Sequence, residues 1–471
     1  IRRACLFLLH FILQRGKMKK FLLGICSVLL TVFVGVLPVA AEDDLLTMAQ
    51  NAGYPATADI LPKASIVVDA DSGQILWGEN VDLKWDPAST TKTMVVYLTY
   101  EAISQGKITL DTEVVATETD QAIASIYALS NNKIVAGETY TVRELLIMTL
   151  VPSSNVTTLM LAHLIHDGDD ASFLQLMNDT AQSLGMTNTH FYNATGAVFG
   201  AFEGYYSPAG SDPTASNEVT AKDMATLAYH LIKKYPEVLD FTNDTQVTVK
   251  AGTPLEETFD AYNYSLPGGQ YAYEGVDGLK TGSSPQAGFN AIITAKRGET
   301  RLITVVLGVG NWADQNGEYY RHYFVNTLLD YGFTRYQRQV VAPAGTQDID
   351  GKKWTTDQDL YAMVKDGVAP QLTVANDKLQ VAGTIDPMSG VPAKAASTIS
   401  SDQSSGLLLP SGSQSGSNSL LSGIPLMVYF LVPTLLLLVL VGIFLGRGKR
   451  RKAKHSENGN GTYSRRYRRR K

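Results

Sequence analysis

The chain has 471 residues, 45% apolar and 18% charged, with a formal net charge of −5. That charge is unevenly spread: residues 1–41 carry +6 and residues 447–471 carry +11, which leaves −22 for residues 42–446. So acidic a body excludes polyanion partners such as nucleic acid, and disulfides or thiol chemistry are excluded once Cys5 and Cys26 are removed with a leader.

Met18-Lys19-Lys20 opens a secretory signal, followed by an apolar run over residues 21–39 and the small residues Val39-Ala40-Ala41, which predict cleavage after Ala41. Residues 1–17 read as upstream sequence. Cys26 does not read as a lipid anchor, because Ile25 places a bulky side chain directly before it. Residues 42–336 then mix strand and helix patterns over a length sufficient for one large core or two closely knit lobes.

Residues 64–70 and 74–77 predict two strands joined by the turn Asp71-Ser72-Gly73. From Pro87 onward, Met94, Val95, Leu98 and Ala102 recur at helical spacing as far as Gly106. Helices are expected over residues 142–151, stopped by Pro152, and over 156–165, so Ser153–Asn155 falls in the connection between them. Residues 196–217, rich in Gly, Ala, Ser and Pro, predict a surface loop, and Thr220 opens a helix through Ile232. Residues 288–295 and 301–308 predict a hairpin in the sheet that holds the strand around Lys280. Strands at both ends with helices between them predict an α/β (α+β) sandwich built on an antiparallel sheet.

The remainder is organised differently. Residues 337–392 show short alternating segments and predict a small β-rich domain, whereas the Ser/Gly-rich residues 393–423 cannot bury a core and predict a flexible linker. Residues 424–445 are 22 positions without a charge, about 33 Å of helix and enough to cross a hydrocarbon core. The basic residues 446–471 then predict a cytoplasmic tail, with the folded part outside the cell and one pass through the cell membrane. Contact with anionic lipid is the ordinary use of such a tail.

Three short motifs carry chemistry. Ser89-Thr90-Thr91-Lys92 places an amine one helical turn from a hydroxyl, Ser153-Ser154-Asn155 supplies a second hydroxyl and an amide, and Lys280-Thr281-Gly282 lies on a strand. Each alone reads as a helix cap, a turn or a strand end; their order and contexts together predict a site. The chain supplies its own decoys in Ser104-Gln105-Gly106-Lys107, at a helix end, and Ser130-Asn131-Asn132, without the helix-break-helix setting. Lys92 can take the proton of Ser89 only if burial and a second cation, Lys280, lower its pKa. Ser153 would relay the proton to the leaving amine, and Asn155 would hold Lys92 and a substrate amide. Lys280 and Thr281 suit an anionic terminus, and Gly282 leaves room for a substrate beside the strand. His163 and His166 have a metal-like spacing on an apolar helix, but without an acidic companion they predict no metal site, and no cofactor motif is present.

On these residues the chain resembles the low-molecular-mass penicillin-binding proteins, specifically the D-alanyl-D-alanine carboxypeptidases of Gram-positive cocci. Val276 to Ser283, Leu184-Gly185-Met186, Asn193-Ala194-Thr195-Gly196, Thr220 to Met224 and Tyr331-Gly332-Phe333 resemble further landmarks of that family. The resemblance implies a penicillin-binding/β-lactamase-like fold and an acyl-serine mechanism, with the backbone N–H groups of Ser89 and Ser283 as the oxyanion hole. It implies removal of the terminal D-alanine from peptidoglycan pentapeptide stems, and acylation of the same serine by β-lactams. Members are often held to the membrane by an amphipathic helix, so a complete span would be a departure. A β-lactamase would need a glutamate-activated water, for which Glu218 lacks the expected neighbours, and a sensor would need a larger output domain than the tail provides.

Overall fold

The structure is a computed structural model that describes residues 44–397 except 350, 376 and 387–390. The expected signal, membrane span and basic tail, and most of the expected linker, lie outside these residues. Among the described residues no helix is long and apolar enough to cross a membrane.

A five-stranded antiparallel sheet forms the centre, built from β1 (Ala64–Asp69), β2 (Ile75–Glu79), β3 (Val276–Ser284), β4 (Gly288–Arg297) and β5 (Thr300–Val309) in the order β2-β1-β5-β4-β3. The first and last strands of the sheet in chain order meet in its middle, where Ala64 pairs with Leu307 and Asp69 with Leu302. Side chains alternate across the sheet, and both faces are covered. Ile66, Val68, Ile292, Ile303, Val305 and Leu307 enter one core, while Val67, Ala291, Ile293, Leu302 and Val306 enter the other. This two-sided burial explains why these strands read as apolar runs.

The second face packs on α1 (Leu45–Asn51) and α7 (Gly317–Arg335), which follows β5. The first face carries α2 (Lys92–Ser104), α3 (Val142–Leu150), α4 (Asn155–Ile165), α5 (Asp170–Ser183) and α6 (Ala221–Lys234). The caps are written locally. Thr141 and Glu144 form a reciprocal capping box at α3, and Thr220 accepts from the Asp223 N–H at α6. Pro152, which lacks an N–H, follows the end of α3 and starts the break before α4.

Two expectations need correction. The segment 196–217 is no plain surface loop: Phe199, Phe202 and Tyr206 are buried in the first core with their rings packed together. The apolar helix expected from Pro87 begins at Lys92, because Ala88–Thr91 winds as a 3-10 turn.

Beyond α7 the chain forms short strands from Tyr336–Ala342 to Val391–Ser397, the last of which runs past the expected limit at residue 392 and pairs with Lys352–Thr356. This β-rich part is fastened to the sheet. Gln74 donates to the Met363 carbonyl at 2.9 Å and accepts from the Met363 N–H at 3.0 Å, and the Tyr336 hydroxyl donates to the Leu76 carbonyl at 2.6 Å.

Gly332 allows α7 to lie close on the sheet, since a Cβ there would stand 2.6 Å from Leu302 Cδ1. Gly332→Ala should therefore destabilise the protein by about 1–3 kcal/mol through overpacking. Thermal unfolding would register this as a fall of several degrees, and an unchanged midpoint would show that the helix yields freely.

Candidate active site

The 3-10 turn carrying Ser89 begins with Ala88 in the left-handed region at φ 46° and is closed by the Pro87 carbonyl, which accepts from Thr90 N–H at 3.1 Å and Thr90 Oγ1 at 2.8 Å. One turn on, Lys92 begins α2 and is wholly buried. Its Nζ lies 2.7 Å from Ser89 Oγ, 2.9 Å from Asn155 Oδ1 and 3.0 Å from the Thr195 carbonyl oxygen. The last two atoms only accept. A neutral amine satisfies all three neighbours at once, with two N–H groups to the carbonyl oxygens and its lone pair facing the serine O–H. Burial holds this amine well below its usual value, and the positive charge of Lys280 lowers it further.

Ser153 occupies the break between α3 and α4 in the left-handed region at φ 64°. Ser154 caps α4, and Asn155 is its first residue. The segment 130–132, a decoy for chemistry, proves to be the support of this motif. The Ser130 carbonyl accepts from both Asn155 Nδ2 and Asn155 N–H at 2.9 Å, Asn131 Oδ1 accepts from Val156 N–H at 3.0 Å, and Ser130 Oγ donates to the Pro152 carbonyl at 2.9 Å. The carbonyl oxygen of Asn155 is thereby aimed at Lys92. Ser104, the other decoy, donates to the Glu101 carbonyl at 2.9 Å and accepts from the Tyr235 hydroxyl at 3.1 Å at a helix end.

Lys280 lies within β3 rather than at a solvated strand end. It is buried, and its Nζ donates to Ser153 Oγ at 2.9 Å and to the Thr281 carbonyl at 2.7 Å. Burial, followed by the charge of Arg321, brings its pKa down to about 7.

Thr281 is buried and Ser283 half-buried on β3, which forms one edge of the sheet. Gly282 has a role beyond the one expected. A Cβ there would come within 2.8 Å of Ser89 N and 2.9 Å of the Pro87 carbonyl oxygen, so its missing side chain makes room for the serine turn. On the other side Gly196, at φ 89°, would put a Cβ 1.8 Å from the Ala88 carbonyl oxygen. The serine turn is thus clamped between two glycines.

Sequence reasoning missed three contributors. Thr195 acts through its carbonyl, which leaves no signature in side-chain chemistry. Arg321 stands on α7 in a helical pattern like any other, yet it is buried, with Nη2 donating to the Tyr262 carbonyl at 3.2 Å, and burial lowers its pKa to about 10. Asp86 is the third, and its contacts are taken up below. A cleft of about 970 Å³, lined in part by Trp85, Asp86, Tyr192, Phe199, Ser216 and Gln286, lies beside the serine turn; Ser89 is not in its wall. Two residues weighed from sequence lie elsewhere. Glu218 forms a half-exposed ion pair with Lys84 at 3.0 Å, and His163 Nε2 lies 2.8 Å from Asp170 Oδ1.

Comparison with known proteins gives a consistent picture. The family described as D-alanyl-D-alanine carboxypeptidase matches residues 49–311, and a domain family of unknown function matches residues 338–391. D-alanyl-D-alanine carboxypeptidase DacF of Bacillus subtilis (strain 168) is 30% identical over 275 residues, covering 58% of this chain and 63% of its own length. D-alanyl-D-alanine carboxypeptidase DacA of Escherichia coli (strain K12) is 26% identical over 340 residues, covering 72% of this chain and 75% of its own. The chain therefore spans just under two thirds of the first relative and three quarters of the second. Among solved structures, a peptidoglycan synthesis regulatory factor (PBP3) from Streptococcus pneumoniae superimposes with a TM-score of 0.61 at 28% identity, over 72% of this chain and 98% of that one.

The buried amines leave a mark on stability. Lys280 titrates near 7 in the folded protein against 10.5 as its ordinary value, so the unfolded chain binds more protons between these limits and stability rises with pH there. Below about 7 the cost of the buried charge is fully present. Denaturant unfolding between pH 7 and 9 should show a gain of up to about 1.4 kcal/mol per pH unit from this group, and Lys280→Met should flatten it. Equal slopes in the two proteins would contradict this assignment.

Proposed function

Because the chain belongs to the D-alanyl-D-alanine carboxypeptidase family, we propose that it removes the terminal D-alanine from peptidoglycan pentapeptide stems through an acyl-serine intermediate at Ser89. The observation that carries this reading is the 2.7 Å contact between Ser89 Oγ and a buried Lys92 amine whose pKa burial and the charge of Lys280 lower well below its usual value. A serine hydroxyl is a poor nucleophile until a base removes its proton. The Lys92 lone pair is that base.

As Oγ attacks the carbonyl carbon of the penultimate D-alanine, its proton passes to Lys92, and the carbonyl oxygen becomes an oxyanion. Backbone N–H groups of Ser89 and Ser283 receive it, a role supported by the close approach of β3 to the serine turn at Gly282. Collapse of this intermediate breaks the peptide bond. The departing nitrogen takes a proton from Lys92 by way of the Ser153 hydroxyl, which Lys280 holds at 2.9 Å. Water then attacks the ester with Lys92 again as base, releasing the shortened stem and restoring Ser89. Lys280 and Thr281, with Arg321 behind them, give the positive field suited to the substrate's terminal carboxylate. Asn155 keeps the Lys92 amine in line and offers its amide to the substrate backbone, and the open edge of β3 offers it strand pairing.

A β-lactam presents a strained amide to the same serine, and the same steps give a covalent penicilloyl enzyme. The sequence further supports a single-pass anchor in the cell membrane with the catalytic part on the wall side, since residues 424–445 carry no charge and are followed by a basic run. A β-lactamase reading gains nothing from Glu218, whose carboxylate is occupied by Lys84.

Incubation of the purified protein with a D-alanyl-D-alanine peptide should release D-alanine, and Ser89→Ala should abolish both this and covalent penicillin labelling, with a loss on the order of 10⁴-fold or more. Lys92→Arg, whose guanidinium stays protonated, should lose about 10²–10⁴-fold as a missing general base. Retained turnover in that variant would remove Lys92 from the role. Rapid penicillin hydrolysis without D-alanine release would replace the carboxypeptidase by a β-lactamase.

A further inference from the structure

Asp86 lies three residues before the nucleophile, and no step above uses it. Its carboxylate is largely buried, and within the described structure its contacts are hydroxyl and N–H donors rather than cations. Oδ1 accepts from the Ala88 N–H at 2.8 Å and Oδ2 accepts from Ser284 Oγ at 3.4 Å, and the Ser216 hydroxyl lies near enough to the same group to lower its pKa. Burial raises its pKa, and these three donors oppose the rise. Its main chain is tied as well, since the Asp86 carbonyl accepts from Asn290 Nδ2 at 2.9 Å. Asn290 sits opposite Gly282 in the β3–β4 pairing.

These partners occupy significant places. Ala88 directly precedes Ser89, and it is the residue held at φ 46°. Ser284 directly follows Ser283, and its own Oγ also accepts from the Ala287 N–H at 2.9 Å, which anchors the β3–β4 turn. Ser216 belongs to the segment that closes the cleft beside the site. One carboxyl group therefore touches a neighbour of each N–H group assigned to the oxyanion hole, and does so from two segments that are about 200 residues apart in sequence.

We propose that Asp86 is a positioning residue that sets the spacing between the Ser89 and Ser283 backbone N–H groups, and so the fit of the oxyanion hole to the tetrahedral intermediate. This rests on the acyl-transfer reading of Ser89. Electrostatics favours a geometric role over a direct one. A carboxylate this near a developing oxyanion repels it, so the charge itself is a cost, and what offsets it is the fixed placement of the Ala88 N–H and the Ser284 hydroxyl. A displacement of about 1 Å at such a site costs on the order of 10²-fold in rate, and a lost oxyanion donor costs about 10²–10³-fold.

The test compares Asp86→Ala, Asp86→Asn and Ser284→Ala, each normalised to the fraction of serines titratable with a fluorescent penicillin. The carboxamide of the Asn variant can still accept from the Ala88 N–H and donate to the hydroxyl oxygens. Expected is a fall in kcat of about 10–100-fold for Asp86→Ala with KM changed less than about threefold, and retention within about fivefold for Asp86→Asn. A peptide boronic acid ending in a boronic analogue of D-alanine mimics the tetrahedral adduct, and its affinity should fall in parallel with kcat. Ser284→Ala should lose a smaller factor in the same direction, and in the Asp86→Ala background it should add nothing, because the contact is already gone. Should Asp86→Ala fail to fold, Ser284→Ala and Asp86→Asn carry the test.

Near-wild-type kcat and boronate affinity per titrated serine in both Asp86→Ala and Ser284→Ala would overturn the proposal. So would equal loss in Asp86→Ala and Asp86→Asn, which would assign the effect to charge, and so would full additivity in the double variant. If the wild-type protein released no D-alanine, the function reading would fail. Boronate affinity and the penicillin acylation rate would still report on Asp86.

Discussion

Two buried lysine amines, one of which feels the charge of the other, are the constraint on which the rest of the site depends. Among the described residues neither Lys92 nor Lys280 has a carboxylate partner, and burying an unpaired ammonium costs several kcal/mol even after relaxation. Burial and the charge of Lys280 push the Lys92 amine toward its neutral form. Carbonyl oxygens of Asn155 and Thr195 take the two N–H groups of that amine, which leaves its lone pair for the serine. If either were replaced by an acid, Lys92 would be an ordinary buried ion pair with no capacity to accept a proton. The chemistry thus follows from what is left out of the pocket as much as from what is in it.

The fold brings these groups together by close backbone approach. Strand β3 comes from one end of the domain and the serine turn from the other, and Gly282 and Gly196 let main chain meet main chain on both sides of Ser89. Strain gathers at the same place. Ala88 and Ser153, both with side chains, adopt left-handed φ values of 46° and 64°, which cost of order 1–3 kcal/mol each. Such conformations persist only where the surroundings over-determine them. Here the clamp of glycines, the Asp86 carboxylate and the Ser130–Asn131 support do so.

Much of this architecture was legible in the amino-acid sequence, for definite reasons. The motifs around Ser89, Ser153 and Lys280 could be told from their decoys by setting, because a helix start, a helix break and a strand each leave a local periodicity. The sandwich of helices around an antiparallel sheet followed from apolar runs at both ends of the domain. What sequence hid was of two kinds. Main-chain atoms such as the Thr195 and Ser130 carbonyls carry no residue-type signal, and isolated polar residues such as Arg321 and Asp86 owe their burial to segments far away in the chain. The 196–217 segment misled for a third reason: its Gly, Ser and Pro content outweighed three aromatic rings that anchor it.

Strand β3 forms one edge of the sheet. An exposed edge offers unpaired N–H and C=O groups to any passing strand and is a liability that proteins usually cover. Here the serine turn lies against β3 at Gly282, so the free stretch of edge ends where the nucleophile begins. A peptide can pair along that stretch only as far as the turn.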